Sequence, residues 1–225
     1  MREKRYLWSS ERGENLPLVV TKSRLAKAFL VGLWVLLLAR PALAQYEFAP
    51  SSLESGALLV ASPSLDDLNF HQSVLLIIEH GMAGTVGVIL NRPTEVLLSD
   101  VLPDLPILKQ TTHRLFDGGP VGQTQLVLLF RLMGPYPDAR LIFNEIYLGT
   151  PRVLERLIVQ PKPTETFRAF AGFAGWAPGQ LEHEMREGAW GVLPKNSFDI
   201  FDKDPATLWP DAIRRLQAPR TIADQ

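Results

Sequence analysis

The positions where this sequence could carry chemistry are its histidines, a serine pair, an aspartate pair and two glycine-rich loops. The histidines are His71, His80, His113 and His183. None stand at the i,i+4 spacing that sets two ligands on one helix face. His71 and His80 bracket an apolar stretch and lie nine residues apart, too far to share a metal across a strand. All four read as structural or surface residues. Ser62 and Ser64 flank Pro63 after an apolar run. No serine sits in a G-x-S-x-G elbow, so these two read as turn formers that hydrogen-bond their own backbone. Asp66 and Asp67 with Asn69 offer oxygens to a cation but lack the remaining ligands of a calcium loop, and they read as a solvated turn. The absence of cysteine removes thiolate nucleophiles and Cys-type zinc sites, and leaves the redox compartment undecided.

The glycine-rich loops are Asp117-Gly118-Gly119-Pro120 and Gly175-Trp176-Ala177-Pro178-Gly179-Gln180. The second runs into a helix start, where free backbone N–H groups can receive an anion. It lacks the Lys and Ser/Thr of a phosphate-cradling loop and the G-x-G-x-x-G spacing. Its structural reading is that the glycines permit the turn, Trp176 packs, and Pro178 sits near the helix start. Arg92, in Asn91-Arg92-Pro93, can meet an anionic ligand or partner, or pair with a nearby carboxylate. The candidate ligand or partner surface is therefore His71, Asn91, Arg92, Gly118, Gly119, Gly175, Trp176, Gln180 and Glu182. If the protein is an enzyme, its pocket lies at the glycine-rich loops, with His71, Asn91, Arg92 and Gln180 in the wall. No catalytic residue, cofactor or metal ligand is assigned.

These residues need elements to hold them. Residues 56–61, 73–79 and 85–90 are apolar strands, the last two joined as a hairpin through His80-Gly81-Met82-Ala83-Gly84. A short helix starts near Leu98, and Pro103 and Pro106 cut it off. Residues 116–121 form a tight loop before a strand over 125–131, and 141–148 reads as one strand. Pro151 to Val159 has the spacing of an amphipathic helix with Pro in its first turn. A strand over 167–174 follows, then a helix over 179–187 with Glu182 and Arg186 outward at i,i+4, a strand over 190–193 and a helix over 205–216. Clustered strands and few helices predict an α+β fold with a largely antiparallel, barrel-like sheet. Of the 225 residues, 46% are apolar and 21% charged, as in a folded domain of ordinary size.

The charge is uneven. Residues 1–44 carry eight Lys/Arg and three Asp/Glu, leaving 15 and 21 for residues 45–225. An acidic domain without a basic stripe does not hold a phosphate backbone by direct contact. Partners are instead a protein or a small ligand. Ahead of the domain, Lys22 to Lys27 is basic, Ala28 to Ala39 is an unbroken apolar run, and Ala42-Leu43-Ala44 is a small-x-small ending. These are the parts of an export signal, with cleavage expected after Ala44 and a periplasmic or secreted product. The alternatives are an uncleaved membrane anchor over residues 25–44, or a cytoplasmic protein if the start site is misassigned; a true start at Val19 or Val20 would account for the long stretch ahead of the basic run. The expected organisation is thus 1–44 export or anchor segment, 45–52 linker, 53–216 domain and 217–225 tail.

Several motifs together resemble the YqgE/AlgH family. They are Gly56-Ala57-Leu58-Leu59-Val60-Ala61 with Pro63-Ser64-Leu65, Asn69-Phe70, Ser73-Val74, Glu79-His80, Gly84, Gly87 and Asn91-Arg92-Pro93. Gly118-Gly119-Pro120-Val121, the run from Phe173 to Glu182, Glu184 and Gly188-Ala189-Trp190 complete the set. The resemblance implies an α+β fold with a barrel-like sheet. It brings no established activity or catalytic residues. One branch of the family is known as a regulator of alginate production and is sometimes labelled a transcriptional regulator. Family members typically look cytoplasmic, so the export-like segment is a departure.

Overall fold

Val74 to Ile78 carries apolar side chains at consecutive positions, and a strand buries consecutive positions only where both faces of its sheet are covered. The computed structural model has that arrangement. It describes residues 53–218, all within the compact unit Gln45–Gln225. The export-like segment, the linker and the tail beyond residue 218 lie outside the described residues.

The elements run β1 (Leu58–Ala61), β2 (Val74–Gly81), β3 (Gly84–Ile89), β4 (Pro93–Leu97), α1 (Leu98–Val101), a 3-10 turn (Pro106–Gln110), β5 (Arg114–Asp117) and β6 (Val121–Arg131). They continue with β7 (Ala139–Phe143), β8 (Ile146–Gly149), α2 (Pro151–Val159), β9 (Thr166–Trp176), α3 (Gln180–Arg186), β10 (Trp190–Leu193) and α4 (Pro205–Gln217). The strand order is β10-β1-β2-β3-β9-β6-β8-β7, with β4 and β5 off this path. Every ladder is antiparallel except β5 against β9. β9 is the hub. It pairs with β6 over Thr166 to Phe173, with β5 over Ala169 to Ala171, and with β3 over Ala174 to Trp176.

The sheet curls until its far edge returns to its start. Phe143, the last residue of β7, packs so closely on Gly56 that a β carbon there would lie 2.7 Å from Phe143 Cδ1. Arg140 of β7 reaches within 3.8 Å of Glu79 on β2. The result is a half-barrel, α+β and largely antiparallel as predicted.

Successive residues of the central strands serve opposite faces. Leu58, Val60, Val74, Leu76, Ile78, Val88 and Phe170 build a core with Ile200, Leu208 and Ala212, and α4 packs against β1, β2 and β10. Leu59, Leu75, Ile77, Ile89, Trp176 and Trp190 build a second core with Leu181 of α3. A third joins Val153, Leu154 and Leu157 of α2 to Leu128, Phe130 and Ala169. Arg168 ties the first to the chain around it: its guanidinium lies 4.5 Å over the Phe116 ring and donates to the Leu90 carbonyl at 3.2 Å and the Phe201 carbonyl at 3.0 Å.

β3 ends ahead of Asn91-Arg92-Pro93, and Pro93 opens a further strand, β4, which has a single ladder partner; a Pro without an N–H is tolerated on such an edge. Two local expectations are corrected. The span read as one strand over 141–148 is two, β7 and β8, turning at Asn144, whose φ of 45° admits the reversal. The expected loop over 116–121 narrows to Gly118-Gly119-Pro120, with β5 and β6 on either side.

One buried carboxylate joins the loop before β7 to the loop after α2. Glu165 accepts from the Met133 amide at 3.0 Å, the Tyr136 hydroxyl at 2.9 Å and the Lys162 ammonium at 3.1 Å. Burial pushes its carboxyl up, but these hydrogen bonds outweigh it and hold the pKa below the usual 4.5. A lowered folded-state pKa gives stability that is complete above the unfolded value and is lost as pH falls through the folded one. Glu165→Gln is expected to cost about 1–3 kcal/mol in urea unfolding at neutral pH. Its deficit against the wild type should shrink as the pH drops below 4.5.

Candidate functional site

Asn91 and Arg92 follow β3 and act on the loop ahead of β2. The Asn91 side chain accepts from the Val74 amide at 2.9 Å and donates to the Gln72 carbonyl at 2.9 Å. Arg92 donates to the carbonyls of Asn69 at 2.6 Å and His71 at 3.1 Å, and lies 3.9 Å from Asp117. The pair thus clasps backbone. His71 contributes its carbonyl to that clasp, and its side chain is exposed.

The clasped loop delivers Phe70 to an aromatic cluster. Phe70 stacks on Trp176 at 5.8 Å and meets Trp190 edge-on at 5.5 Å. Both indoles donate to one oxygen of Glu184, Trp176 at 3.0 Å and Trp190 at 2.8 Å. Gln180 donates to the other oxygen at 2.9 Å, while its own carbonyl accepts from the Ala177 amide at 3.0 Å. The Ala177 N–H of the second glycine-rich loop is therefore taken by Gln180. Glu184 was marked in the sequence only by the family pattern; the indoles eight positions before it and six after are what give it a role.

Glu182 faces His80 and not Arg186: its carboxylate stands 3.8 Å from His80 Nε2. His80 Nδ1 is hydrogen-bonded to the Thr85 hydroxyl at 2.8 Å. Thr, His and Glu thus stand in a row, but the carboxylate is beyond hydrogen-bond distance and Thr85 is only 3% exposed. They make a cross-strand pair with a surface carboxylate beside it, not a nucleophile with its base.

Gly118 threads between two strands. Its N–H donates to Ala171 at 2.8 Å, its carbonyl accepts from Ile89 at 3.0 Å, and a β carbon would lie 2.3 Å from the Gly172 oxygen. Gly119, at φ 141°, would place one 2.5 Å from Phe173 backbone. Gly175 is different. It is exposed, and its nearest neighbour would be Phe173 at 3.6 Å, an ordinary contact.

Gly175 and Trp176 line an open cleft of ≈ 330 Å³ with Glu79, Ala83, Gly84, Thr85, Val86 and Val121. It lies at the hairpin end of β2. The other end of the strand is covered by α4, whose Trp209 donates to the Ala61 carbonyl at 2.9 Å. Of the residues singled out from the sequence, these two reach the cleft; His71, Asn91, Arg92 and Gln180 do not wall it. The cleft was not legible in the sequence because its sides come from three separate segments with no shared spacing. Among the described residues no group of three acidic, histidine or cysteine side chains is placed to hold a metal, and no helix is long and apolar enough to cross a membrane.

A family model described as AlgH-like matches residues 58–220. The chain belongs to this family. The AlgH-like chain is 40% identical to a UPF0301 protein of Thermobifida fusca over 172 residues, covering 72% of this chain and 86% of that one. It is 38% identical to one of Streptomyces coelicolor over 170 residues, with the same shares. The solution structure of AlgH from Pseudomonas aeruginosa superposes with a TM-score of 0.60 at 28% identity, over 76% of this chain and 93% of that one. A crystal structure of a Corynebacterium diphtheriae protein gives 0.58 at 28% identity, over 77% and 90%. The two structures agree on the fold, and the UPF0301 name carried by the relatives and by the Pseudomonas aeruginosa structure states no activity.

Two outcomes check this account of the AlgH-like scaffold. Glu184→Leu leaves two buried indole donors without an acceptor and is expected to cost about 2–5 kcal/mol, read by tryptophan fluorescence in urea. Gly119→Ala is expected to cost about 3 kcal/mol or more, against less than about 1 kcal/mol for Gly175→Ala in the same assay.

Proposed function

We propose that the AlgH-like domain is a non-catalytic binding domain whose occupant, a small ligand or a segment of a partner protein, enters the cleft at the hairpin end of the half-barrel. The observation that carries this reading is the contrast between two sets of residues. The polar side chains of the family motifs are spent on one another and on backbone: Asn91 and Arg92 on the loop before β2, and Glu184 on the indoles of Trp176 and Trp190. The cleft is walled mainly by Ala83, Val86, Val121 and Gly175, which bind by shape and apolar contact and do no chemistry. Met82, at the hairpin tip beside it, is 99% exposed, and Val121 is 42% exposed.

A regulatory role for the domain then runs through its occupant. Direct contact with a duplex needs clustered Lys and Arg, and residues 45–225 carry 15 of these against 21 Asp and Glu.

Thermal unfolding tests the reading. Either the low-molecular-mass fraction or the protein fraction of a native-host extract is expected to raise the Tm, as an occupant of the native state must. Gly175→Val, whose β carbon meets only the side chains of Phe173 and Val121 and which narrows the cleft, is expected to remove most of that rise. Equal responses from the two proteins would overturn the reading. So would hydrolysis of a model ester or amide that Thr85→Ala abolishes.

A further inference from the structure

The cleft is apolar except at Glu79 and Thr85, and the Thr85 hydroxyl is engaged by His80. Its charged lining group is Glu79, and Arg140 of β7, outside the cleft wall, stands 3.8 Å from the Glu79 carboxylate. That distance is an ion pair without a hydrogen bond. Both side chains are more than half exposed, 66% for Glu79 and 53% for Arg140, so their attraction is worth little. Neither makes a hydrogen bond to another described residue. The acceptor sites of the carboxylate and the donors of the guanidinium stay open to a ligand.

Resting on the cleft being the binding site, we infer that it takes a free apolar α-amino acid. The side chain lies against Val86, Val121 and Gly175, the ammonium meets Glu79, and the carboxylate meets Arg140. Charge complementarity selects this class. A simple acyl carboxylate would approach Arg140 at the expense of repulsion from Glu79, and a simple alkylamine would approach Glu79 against repulsion from Arg140. A molecule with both charges on one carbon satisfies the two groups together, each by a charge-assisted hydrogen bond. A chain terminus of a peptide presents only one of the charges at that point. The volume, ≈ 330 Å³, is at the small end of ligand sites and has room for one amino acid.

An NMR titration of amide shifts with L-leucine, N-acetyl-L-leucine and L-leucinamide reads each charge separately. L-Leucine is expected to shift Val86, Val121 and Gly175 and to bind about tenfold more tightly than either capped form, one charged hydrogen bond being lost in each. Glu79→Gln should erase the advantage over N-acetyl-leucine, and Arg140→Gln the advantage over leucinamide. The inference is overturned if leucine binds no better than both capped forms, or if the shifts fall away from the cleft. If leucine leaves the cleft amides unmoved while a host fraction still raises the Tm of the wild type and not of Gly175→Val, the amino-acid assignment falls and the cleft reading stands. If Gly175→Val responds to that fraction as the wild type does, both fall.

Discussion

The carboxylate of Glu184 is where the parts of this domain are joined. It sits on α3, accepts from indoles on β9 and β10, and is itself oriented by Gln180. The indoles bury large apolar surfaces but carry an N–H that cannot be left unpaired inside. A single carboxylate satisfying both lets two tryptophans meet at 5.8 Å with Phe70 wedged against them. Phe70 is held in turn by a loop that Asn91 and Arg92 clasp from the end of β3. The motifs that are scattered along the chain therefore form one mechanical chain of contacts: β3, the loop before β2, the aromatic cluster, α3.

Around the framework the sheet solves a second problem, that of strands apolar on both faces. α3 and α2 cover the outer side and α4 covers part of the concave side. The hairpin end is left open, and it is there that glycine and valine surfaces, rather than helices, meet solvent. The rigid part of the molecule and its accessible part are thus contiguous at Trp176, which donates its N–H to Glu184 and contributes to the cleft wall.

The sequence disclosed these features unequally. β1, β2 and β3 were legible because continuous apolar runs bounded by Gly and Pro have few other uses, and α2 was legible from Pro151 and the spacing of Val153, Leu154 and Leu157. The β7–β8 reversal was hidden because no Gly or Pro marks it; Asn144 takes the positive φ instead. β4 was hidden because Pro93 reads as a terminator. At the candidate site, residue type was a poor guide to use. Arg92 and Gln180 look like ligand contacts but serve backbone and carboxylate partners, which only the tertiary structure supplies. Glu79 and Val121 were marked only as parts of the family motifs, and Val86 and Arg140 gave no signal, because apolar walls and a surface ion pair have no spacing rule.

The position of β9 also governs how the domain comes into being. This strand supplies partners to β3, β5 and β6, and β10 supplies the outer neighbour of β1. Every one of those pairings waits for residues beyond Thr166, so the first strands are made long before the strands that complete their sheet. Closure of such long loops precedes any gain from the contacts, which slows folding. The interval leaves the apolar runs of β1 to β3 exposed as a lone two-hairpin ribbon on the ribosome, and any factor that shields nascent chains has its longest opportunity to act on this protein before Trp176 is in place.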